Sequence, residues 1–450
     1  MDAAVVQSAR ASKFEQYQAL IVSTAAFTVC FAVWTLFSIV GIEIKQELGL
    51  DGAEFGLLVA TPVLTGALSR LFLGLLSDKF GGRRVFALLM LLTAGAVYAV
   101  STVSSYAMFL LAALGLGFAG GSFAVGVSYI SSWFDRARQG AALGIFGAGS
   151  IGTAITTFGA PLLVSAFGWR ETGQIYAAVL AASAVIFYLM TREDPASKAR
   201  AAGAIKSRKL SEQLSPLARL QVWRFSLYYF FVFGAFVALA SWLPRYYMGM
   251  YGLSLTEAGL LTTAYALPGA AFRALGGWIS DRIGARSVMY LTFIVSSIVC
   301  FILSYPATDY VVRGVHGAIA FSFEIPLPVF VSLTAVLGFF MAIGMAAVYK
   351  HIPAYYPDHV GAVGGLVGAI GGLGGFFLPI TFGVMNDLIG VWTSCFMLLF
   401  ALVTLALLWM HVTIRLMERG AIGALRTLPE LPEMAELHKS RGAASGRATQ

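Results

Sequence analysis

Long apolar stretches separated by short polar segments dominate the chain from residue 18 to residue 416. A helix needs about 20 mostly apolar residues to cross a bilayer. Twelve stretches are near this length, and their apolar residues do not alternate with polar ones as barrel strands require. They lie at residues 18–43, 53–76, 84–102, 106–134, 139–164, 171–191, 223–248, 255–279, 286–304, 327–352, 360–385 and 391–416. The pattern predicts an all-α integral membrane protein with twelve transmembrane helices.

The composition favours the same class of protein. Hydrophobic residues make up 58% of the chain and charged residues 12%, with a mean hydropathy of +0.81, whereas soluble domains are about 25% charged. The segment before the first apolar run is mostly polar and that run is long enough to span, so we expect no cleavable signal peptide. Cys30, Cys300 and Cys395 lie within predicted spans and form no metal-binding or disulfide pattern. We therefore expect neither a cofactor nor a metal.

Lysine and arginine are distributed unevenly between the two sides of the membrane. With the N-terminus inside, the inner segments hold 23 of the 30 basic residues, the outer loops hold four, and three lie within spans. This positive-inside bias predicts that both termini are cytoplasmic in a cell inner membrane. It also accounts for the net charge of +8, so we expect contact with membrane lipid and no nucleic acid partner.

The predicted spans divide into two halves that repeat. A cytoplasmic N-terminus (1–17) precedes a six-helix bundle (18–191), a cytoplasmic linker (192–222), a second six-helix bundle (223–416) and a cytoplasmic tail (417–450). Residues 49–85 align without a gap with residues 252–288, at an offset of 203, and 16 of the 37 positions are identical. Two pseudo-symmetric six-helix halves are a transporter architecture, with the substrate site at the interface between the halves.

Each repeat carries an arginine inside an apolar stretch. Arg70 and Arg273 stand eight residues before Asp78 and Asp281, about 12 Å along a helix. An arginine at the centre of a membrane costs about 2.5–3.5 kcal/mol on insertion scales, and no acidic residue falls at the centre of a predicted span to pair with either one. Related by the repeat, the two guanidinium groups are expected to face each other across a central cavity. This arrangement predicts an anion site, because a planar guanidinium suits small planar oxyanions.

Two kinds of motif relate the chain to known families. The "G-x-L-x-D-K-x-G-x-R-R" at Gly74–Arg84, with a second copy that begins at Gly277, resembles the loop signature of the major facilitator superfamily. Glycine-rich stretches begin at Gly115, Gly144 and Gly361. Together with the paired arginines, they resemble the NarK-type nitrate/nitrite porter family. The stretch "AAVYKHIPAYYPDHVGAVGG" resembles the branch of proton-coupled nitrate importers. The glycines also suit close helix packing.

The resemblance implies roles for particular residues. Arg70 and Arg273 would clamp the anion, with Phe123, Tyr229 and Phe233 as aromatic walls, although apolar packing is an equal alternative for each aromatic residue. Aromatic faces would exclude water from a flat anion, and the tyrosine hydroxyl could donate a hydrogen bond.

Two further expectations concern a polar residue in the site and the closure of the cytoplasmic face. Ser150 stands where many relatives carry asparagine, which changes the reach of one hydrogen bond and leaves nitrite affinity open. The motif residues that we expect to gate the cytoplasmic face are Gly74, Asp78, Arg83, Asp281 and Arg286.

Lys350 and His351 end the tenth predicted span. They fit two interpretations. Long basic side chains at a span end reach toward the membrane interface. A desolvated lysine or a histidine can also titrate near neutral pH and couple proton movement to transport.

We therefore expect a monomeric secondary transporter of nitrate and nitrite that works by alternating access, with protons as a further substrate in nitrate/proton symport. The alternatives are a nitrate/nitrite antiporter and a carrier of another small anion such as a carboxylate or phosphate. A non-transporting sensor would need a signalling domain, which we do not find. An enzyme is not expected, because the spans hold no nucleophile, metal cluster or paired carboxylates.

Overall fold

The computed structural model describes residues 12–50, 52–201, 212 and 214–423. Eleven helices in these residues are long and apolar enough to cross a membrane. They are α1 Lys13–Leu48, α2 Glu54–Phe80, α3 Gly82–Val100, α4 Tyr106–Ser131, α5 Gln139–Phe167, α6 Trp169–Met190, α7 Leu220–Tyr251, α9 Ala285–Leu303, α10 Leu327–Tyr355, α11 Val360–Ile389 and α12 Ser394–Leu416. The twelfth, α8, comprises two helices, Leu255–Ala271 and Arg273–Ile283. The predicted all-α membrane fold is confirmed, and its helices match the twelve predicted stretches.

The segments predicted to lie outside the membrane are only partly described. Residues 1–11, 202–211 and 424–450, which belong to the predicted N-terminus, linker and tail, lie outside the described residues. Within the linker, Pro195–Ala201 is a short helix and Ser215–Ala218 a single 3₁₀ turn.

A β-hairpin connects α9 and α10. Strand β1, Thr308–Gly314, pairs antiparallel with β2, Gly317–Phe323. Gly317 closes the turn with φ near +137°, a backbone conformation that other residues rarely adopt. The sequence indicates only an outer loop here, because two short strands are hard to recognise between long apolar helices.

Five spans in the described residues depart from regular α-helix, the first being α1, where a turn at Thr35–Leu36 separates Lys13–Trp34 from Phe37–Leu48. Segments of 3₁₀ helix interrupt α4 at Phe118–Gly121 and α5 at Gly149–Ile151, and a π-helical segment interrupts α7 at Phe230–Ala235. Between its two helices, α8 breaks at Phe272, immediately before Arg273. Such irregular turns are frequent at functional sites, because they displace backbone groups and side chains from their regular positions.

The two halves meet through glycines on α2 and α11, and on α5 and α8. A methyl group at Gly365 would lie 2.6 Å from the carbonyl oxygen of Arg70, and one at Gly144 would lie 2.6 Å from that of Arg273. Both values are shorter than any real contact of a Cβ atom. Closer to the two motif copies, Gly74 packs against Gly361 in the same way. The glycine-rich stretches therefore bring backbones of opposite halves into contact.

Candidate anion-binding site

Arg70 is fully buried where α2 meets α11. Its Nε donates to the carbonyl oxygen of Gly120 at 3.1 Å, and its Nη1 donates to that of Gly368 at 2.7 Å. Its Nη2 has no hydrogen-bond partner. Within the described part of the chain, no carboxylate forms an ion pair with Arg70. The side chain is thus a buried cation that neutral carbonyls satisfy only in part, and one donor remains for an anion.

Arg273 occupies the equivalent place between α8 and α5, and is 3% exposed. Its Nη1 donates to the carbonyl oxygen of Gly147 at 3.2 Å, and its Nη2 donates to the hydroxyl of Tyr229 at 3.2 Å. It too lacks a carboxylate partner among the described residues. Gly147 follows the start of α5 at the same interval as Gly368 follows the start of α11, so the two arginines have pseudo-symmetric acceptors.

Each arginine also lies near an aromatic ring of the opposite half. The guanidinium carbon of Arg70 is 5.0 Å from the ring centroid of Phe233, and that of Arg273 is 5.2 Å from the ring centroid of Phe123. Trp34 of α1 lies 5.9 Å from Arg70. Cation–π contact stabilises a guanidinium that has left water. The predicted residues Phe123 and Phe233 thus contact the arginines directly, while Trp34 was not predicted.

Two tyrosines complete this aromatic cluster. Tyr229 stacks on Phe233, with ring centroids 5.0 Å apart and planes 8° apart. Tyr349 presents its ring edge-on to Tyr229 at 4.9 Å and to Phe123 at 4.7 Å, and its hydroxyl donates to the carbonyl oxygen of Gly364 at 3.0 Å. Tyr349 was not predicted from the sequence, because the adjacent charges of Lys350 and His351 are the conspicuous feature of that stretch.

Ser150 follows Gly147, whose carbonyl oxygen accepts a hydrogen bond from Arg273, by three residues along α5. It is half-buried in the 3₁₀ segment Gly149–Ile151, one turn beyond Gly147. Within the described residues, no hydrogen bond joins its hydroxyl to Arg70 or Arg273. In this conformation, Ser150 belongs to the helix that positions Arg273 rather than to the cluster itself.

Asp78 joins the two halves at the end of the bundle that carries both motif copies, which we call the motif end. Its carboxylate accepts hydrogen bonds from the backbone N–H groups of Gly361 at 3.1 Å and Ala362 at 3.0 Å, in the first turn of α11. The hydroxyl of Ser128 also donates to it, at 2.8 Å. A carboxylate at a helix N-terminus is stabilised by the free N–H groups and the helix dipole.

Asp281 makes the equivalent contact, with one difference. It accepts hydrogen bonds from the N–H groups of Gly140 at 2.9 Å and Ala141 at 2.7 Å, at the start of α5. In addition, Lys350 of α10 forms an ion pair with it at 2.8 Å, and both side chains are 8% exposed. Lys350 also donates to the carbonyl oxygen of Arg136. Asp281 and Lys350 together with Asp78 form what we call the latch, a set of contacts that joins the two halves at the motif end.

The side chain of Lys350 is buried and turns toward Asp281, so its contacts lie within the motif end. His351 points to another part of the C-terminal half, with its Nδ1 2.8 Å from the carbonyl oxygen of Ala347 and its ring against Phe225. Neither side chain is among the described contacts of the two arginines.

The contacts described for the motif arginines lie within their own halves, unlike those of the aspartates. Arg83 donates to the carbonyl oxygen of Tyr188 at 2.5 Å and lies 4.1 Å from the centre of its ring, so it contacts α6 of its own half. Arg286, at the start of α9, lines a small cavity inside the C-terminal half. Of these motif charges, the two carboxylates have described contacts that join the halves, while Arg83 contacts its own half because it follows the turn into α3.

A methyl group at Gly147 should impair transport without unfolding the protein. It would lie 3.0 Å from Nε and 3.1 Å from Cζ of Arg273, so the guanidinium would have to move by a few tenths of an ångström. Since small displacements of a binding group are costly, we expect Gly147→Ala to lower anion uptake roughly tenfold. Gly95→Ala is the control, because a methyl group there meets nothing within 4 Å. Equal uptake by both variants in vesicles would show that the position of Arg273 does not limit transport.

The chain is similar to known proteins in sequence and in fold. The sequence profile of the Major Facilitator Superfamily matches residues 22–321 and 250–434. The chain is 41% identical over 421 residues to the "Probable nitrate/nitrite antiporter NarK1" of Thermus thermophilus, which covers 90% of this chain and 94% of that protein. It is 35% identical over 373 residues to the "Probable nitrate/nitrite transporter NarK2" of Mycobacterium tuberculosis, with 82% and 89% covered. Among solved structures, the Escherichia coli fucose:proton symporter FucP matches with a TM-score of 0.68 at 16% identity, over 88% of this chain and 99% of that one.

Proposed function

The chain belongs to the Major Facilitator Superfamily and to its nitrate/nitrite porter family, and we propose on this basis that it carries nitrate and nitrite across the inner membrane. It is a membrane transporter rather than an enzyme. The observation that carries the proposal is the pair of buried guanidinium groups, Arg70 and Arg273, which no described carboxylate neutralises. The names of the relatives supply the identity of the anion.

A flat anion of single charge suits these surroundings. Phe233 and Phe123 lie beside the two guanidinium groups, and Nη2 of Arg70 has no acceptor. An oxyanion between the arginines would accept from that donor and would offset the repulsion of two like charges in a medium of low dielectric constant. Nitrate and nitrite are planar, so they can lie between aromatic rings while their oxygens accept hydrogen bonds from the guanidinium groups.

Alternating access would proceed by release of the latch. Asp78 and Asp281 bind the first turns of α11 and α5, which belong to the opposite halves. The excess of basic residues on this side supports its assignment as cytoplasmic. In our proposal, the anion enters from the outer face, bridges the two arginines and lowers the cost of moving the halves past each other, so that the latch opens with the site loaded.

Exchange of nitrate for nitrite is the transport mode that this geometry favours. Without an anion, two buried cations would have to move together while neither has a counter-charge, which penalises the return of the empty carrier. The relative of 41% identity is named an antiporter.

Nitrate/proton symport is the second candidate mode, and it depends on the latch. Lys350 and Asp281 form a buried titratable pair, and protonation of that carboxylate would weaken the latch. Proton movement would then set the opening of the motif end rather than the charge at the anion site.

The substrate class is tested by competition. In vesicles that contain the purified protein, nitrite should inhibit uptake of labelled nitrate at concentrations near those of nitrate itself. Sulfate and phosphate should not compete, because tetrahedral divalent ions do not fit between aromatic rings and require more donors than this cluster offers. Inhibition by phosphate or a small carboxylate at equal concentrations would instead favour a carrier of another anion.

A further inference from the structure

The small cavity that Arg286 lines is inside the C-terminal half, away from the interface between the halves. Four helices surround it at the motif end, namely the start of α7, the start of α9 and the ends of α10 and α12. Its polar lining consists of Arg224, Arg286, His351, Tyr228 and Tyr355. These described lining residues include two arginines and no carboxylate. Arg224 thus brings a buried guanidinium to a cavity that the proposed transport cycle does not use.

Arg224 is a buried cation of the cavity lining with an unpaired hydrogen-bond donor. It is 5% exposed, and its Nε has no hydrogen-bond partner. One turn earlier on α7, Nε2 of Gln221 is a second buried donor without an acceptor. A buried donor that is left unpaired costs about 1–3 kcal/mol, and more when it is charged. Gln221 does not line the cavity, so the unpaired Nε of Arg224 is the observation that indicates an acceptor there.

The walls of the cavity limit what that acceptor can be. Phe225, Met410 and Ile414, each under 10% exposed, form its apolar side. Arg286 and Tyr355 are the more exposed lining residues and mark its mouth. A guanidinium fork matches an oxyanion with two parallel hydrogen bonds. The mouth faces the end of the bundle where basic residues accumulate and where anionic headgroups gather.

We propose that this cavity is a second anion site, which binds a phosphate-type oxyanion through Arg224. The oxyanion is either the headgroup of an anionic lipid or a free ion, and both present the same acceptor oxygens. The site is separate from the transport site, because His351 faces it from one side of α10 while Tyr349, two residues earlier, packs against Tyr229 and Phe123 on the other side.

The experiment measures thermal unfolding of the purified, delipidated full chain in detergent. One arm adds inorganic phosphate at constant ionic strength, and the other adds phosphatidylglycerol to the micelles, with phosphatidylcholine as the neutral comparison. The variants are Arg224→Gln and, as the matched control at the N-terminus of the same helix, Arg219→Gln, whose arginine is exposed. The unfolding midpoint should rise by a few degrees in the wild type and in Arg219→Gln, and the ligand concentration needed should be about tenfold higher in Arg224→Gln.

The outcomes distinguish a lipid headgroup, a free oxyanion and the absence of an anion site. A rise with phosphatidylglycerol alone identifies a lipid headgroup, and a rise with phosphate identifies a free ion. If Arg224→Gln does not fold, Arg224→Lys, which keeps the charge and loses the fork, should bind more weakly than the wild type. No rise with either ligand, or equal rises in the wild type and the Arg224 variants, would mean that the cavity holds only water, and the proposal would be overturned.

Discussion

Replacement of Arg273 by lysine should remove most nitrate transport from a protein that still folds. The guanidinium donates at the same time to Gly147 and Tyr229 and lies 5.2 Å from the ring of Phe123. An ammonium keeps the charge but loses the planar fork, so it cannot hold these contacts and an oxyanion together. Hydrogen bonds to charged groups contribute about 1.5–3 kcal/mol each, which corresponds to a roughly 10- to 100-fold loss of uptake. The same reasoning applies to Arg70→Lys.

Uptake is measured in vesicles with matched amounts of protein, and folding is followed by gel filtration and thermal unfolding. Arg245→Lys is the control, because Arg245 is an exposed arginine on α7 that lies 5.1 Å from the ring of Trp242. In that variant the same arginine-to-lysine substitution is made beside an aromatic ring but outside the proposed site, so it should transport at the wild-type rate. Wild-type uptake by Arg273→Lys would contradict the clamp.

The position of the arginine pair could be predicted from the sequence because its signal is local. A cation in an apolar stretch is conspicuous by itself, and the gapless repeat relates Arg70 to Arg273. The latch aspartates were predictable for the same reason, since both lie in the repeated motif. Their partners were less evident, because the first turns of α5 and α11 are related by a different offset, which appears only as a weak echo in the sequence.

The other contacts of the site depend on the tertiary fold and could not be predicted from the sequence. Lys350 and Asp281 lie on different helices, far apart along the chain, and nothing in either local sequence indicates that they form an ion pair. Trp34 and Tyr349 belong to the aromatic cluster, yet each is one of many aromatic residues in long apolar helices. The irregular turns at Phe118–Gly121 and Phe230–Ala235 have no pattern that periodicity can reveal, although they supply an acceptor for Arg70 and carry Phe233.

The latch also changes what the titratable residues of α10 can do. The sequence suggested that Lys350 or His351 tunes proton coupling, and the contacts place neither beside the arginines. Lys350 instead stabilises Asp281, and loss of one member of a buried ion pair typically costs about 3–5 kcal/mol. Lys350→Ala should therefore weaken closure of the motif end, whatever the transport mode is.

Nitrate entry into vesicles that contain neither nitrite nor nitrate should be close to zero, even under an acid-outside proton gradient. Return of the empty carrier would move two buried guanidinium groups without a counter-charge, and an anion on the other side removes that barrier. Nitrite loaded inside the vesicles should raise labelled nitrate entry at least about tenfold, since each ~1.4 kcal/mol of barrier is worth that factor.

The variant Lys350→Ala separates the two transport modes. Under exchange, it changes the rate but the need for internal anion persists, because the arginine pair sets that need. Under symport, the wild type takes up nitrate into anion-free vesicles in proportion to the gradient, and Lys350→Ala loses this dependence because Asp281 no longer has its partner. Gradient-driven entry into anion-free vesicles would therefore exclude obligate exchange, and loss of that entry in Lys350→Ala would make the Lys350–Asp281 pair the proton-sensitive element of the carrier.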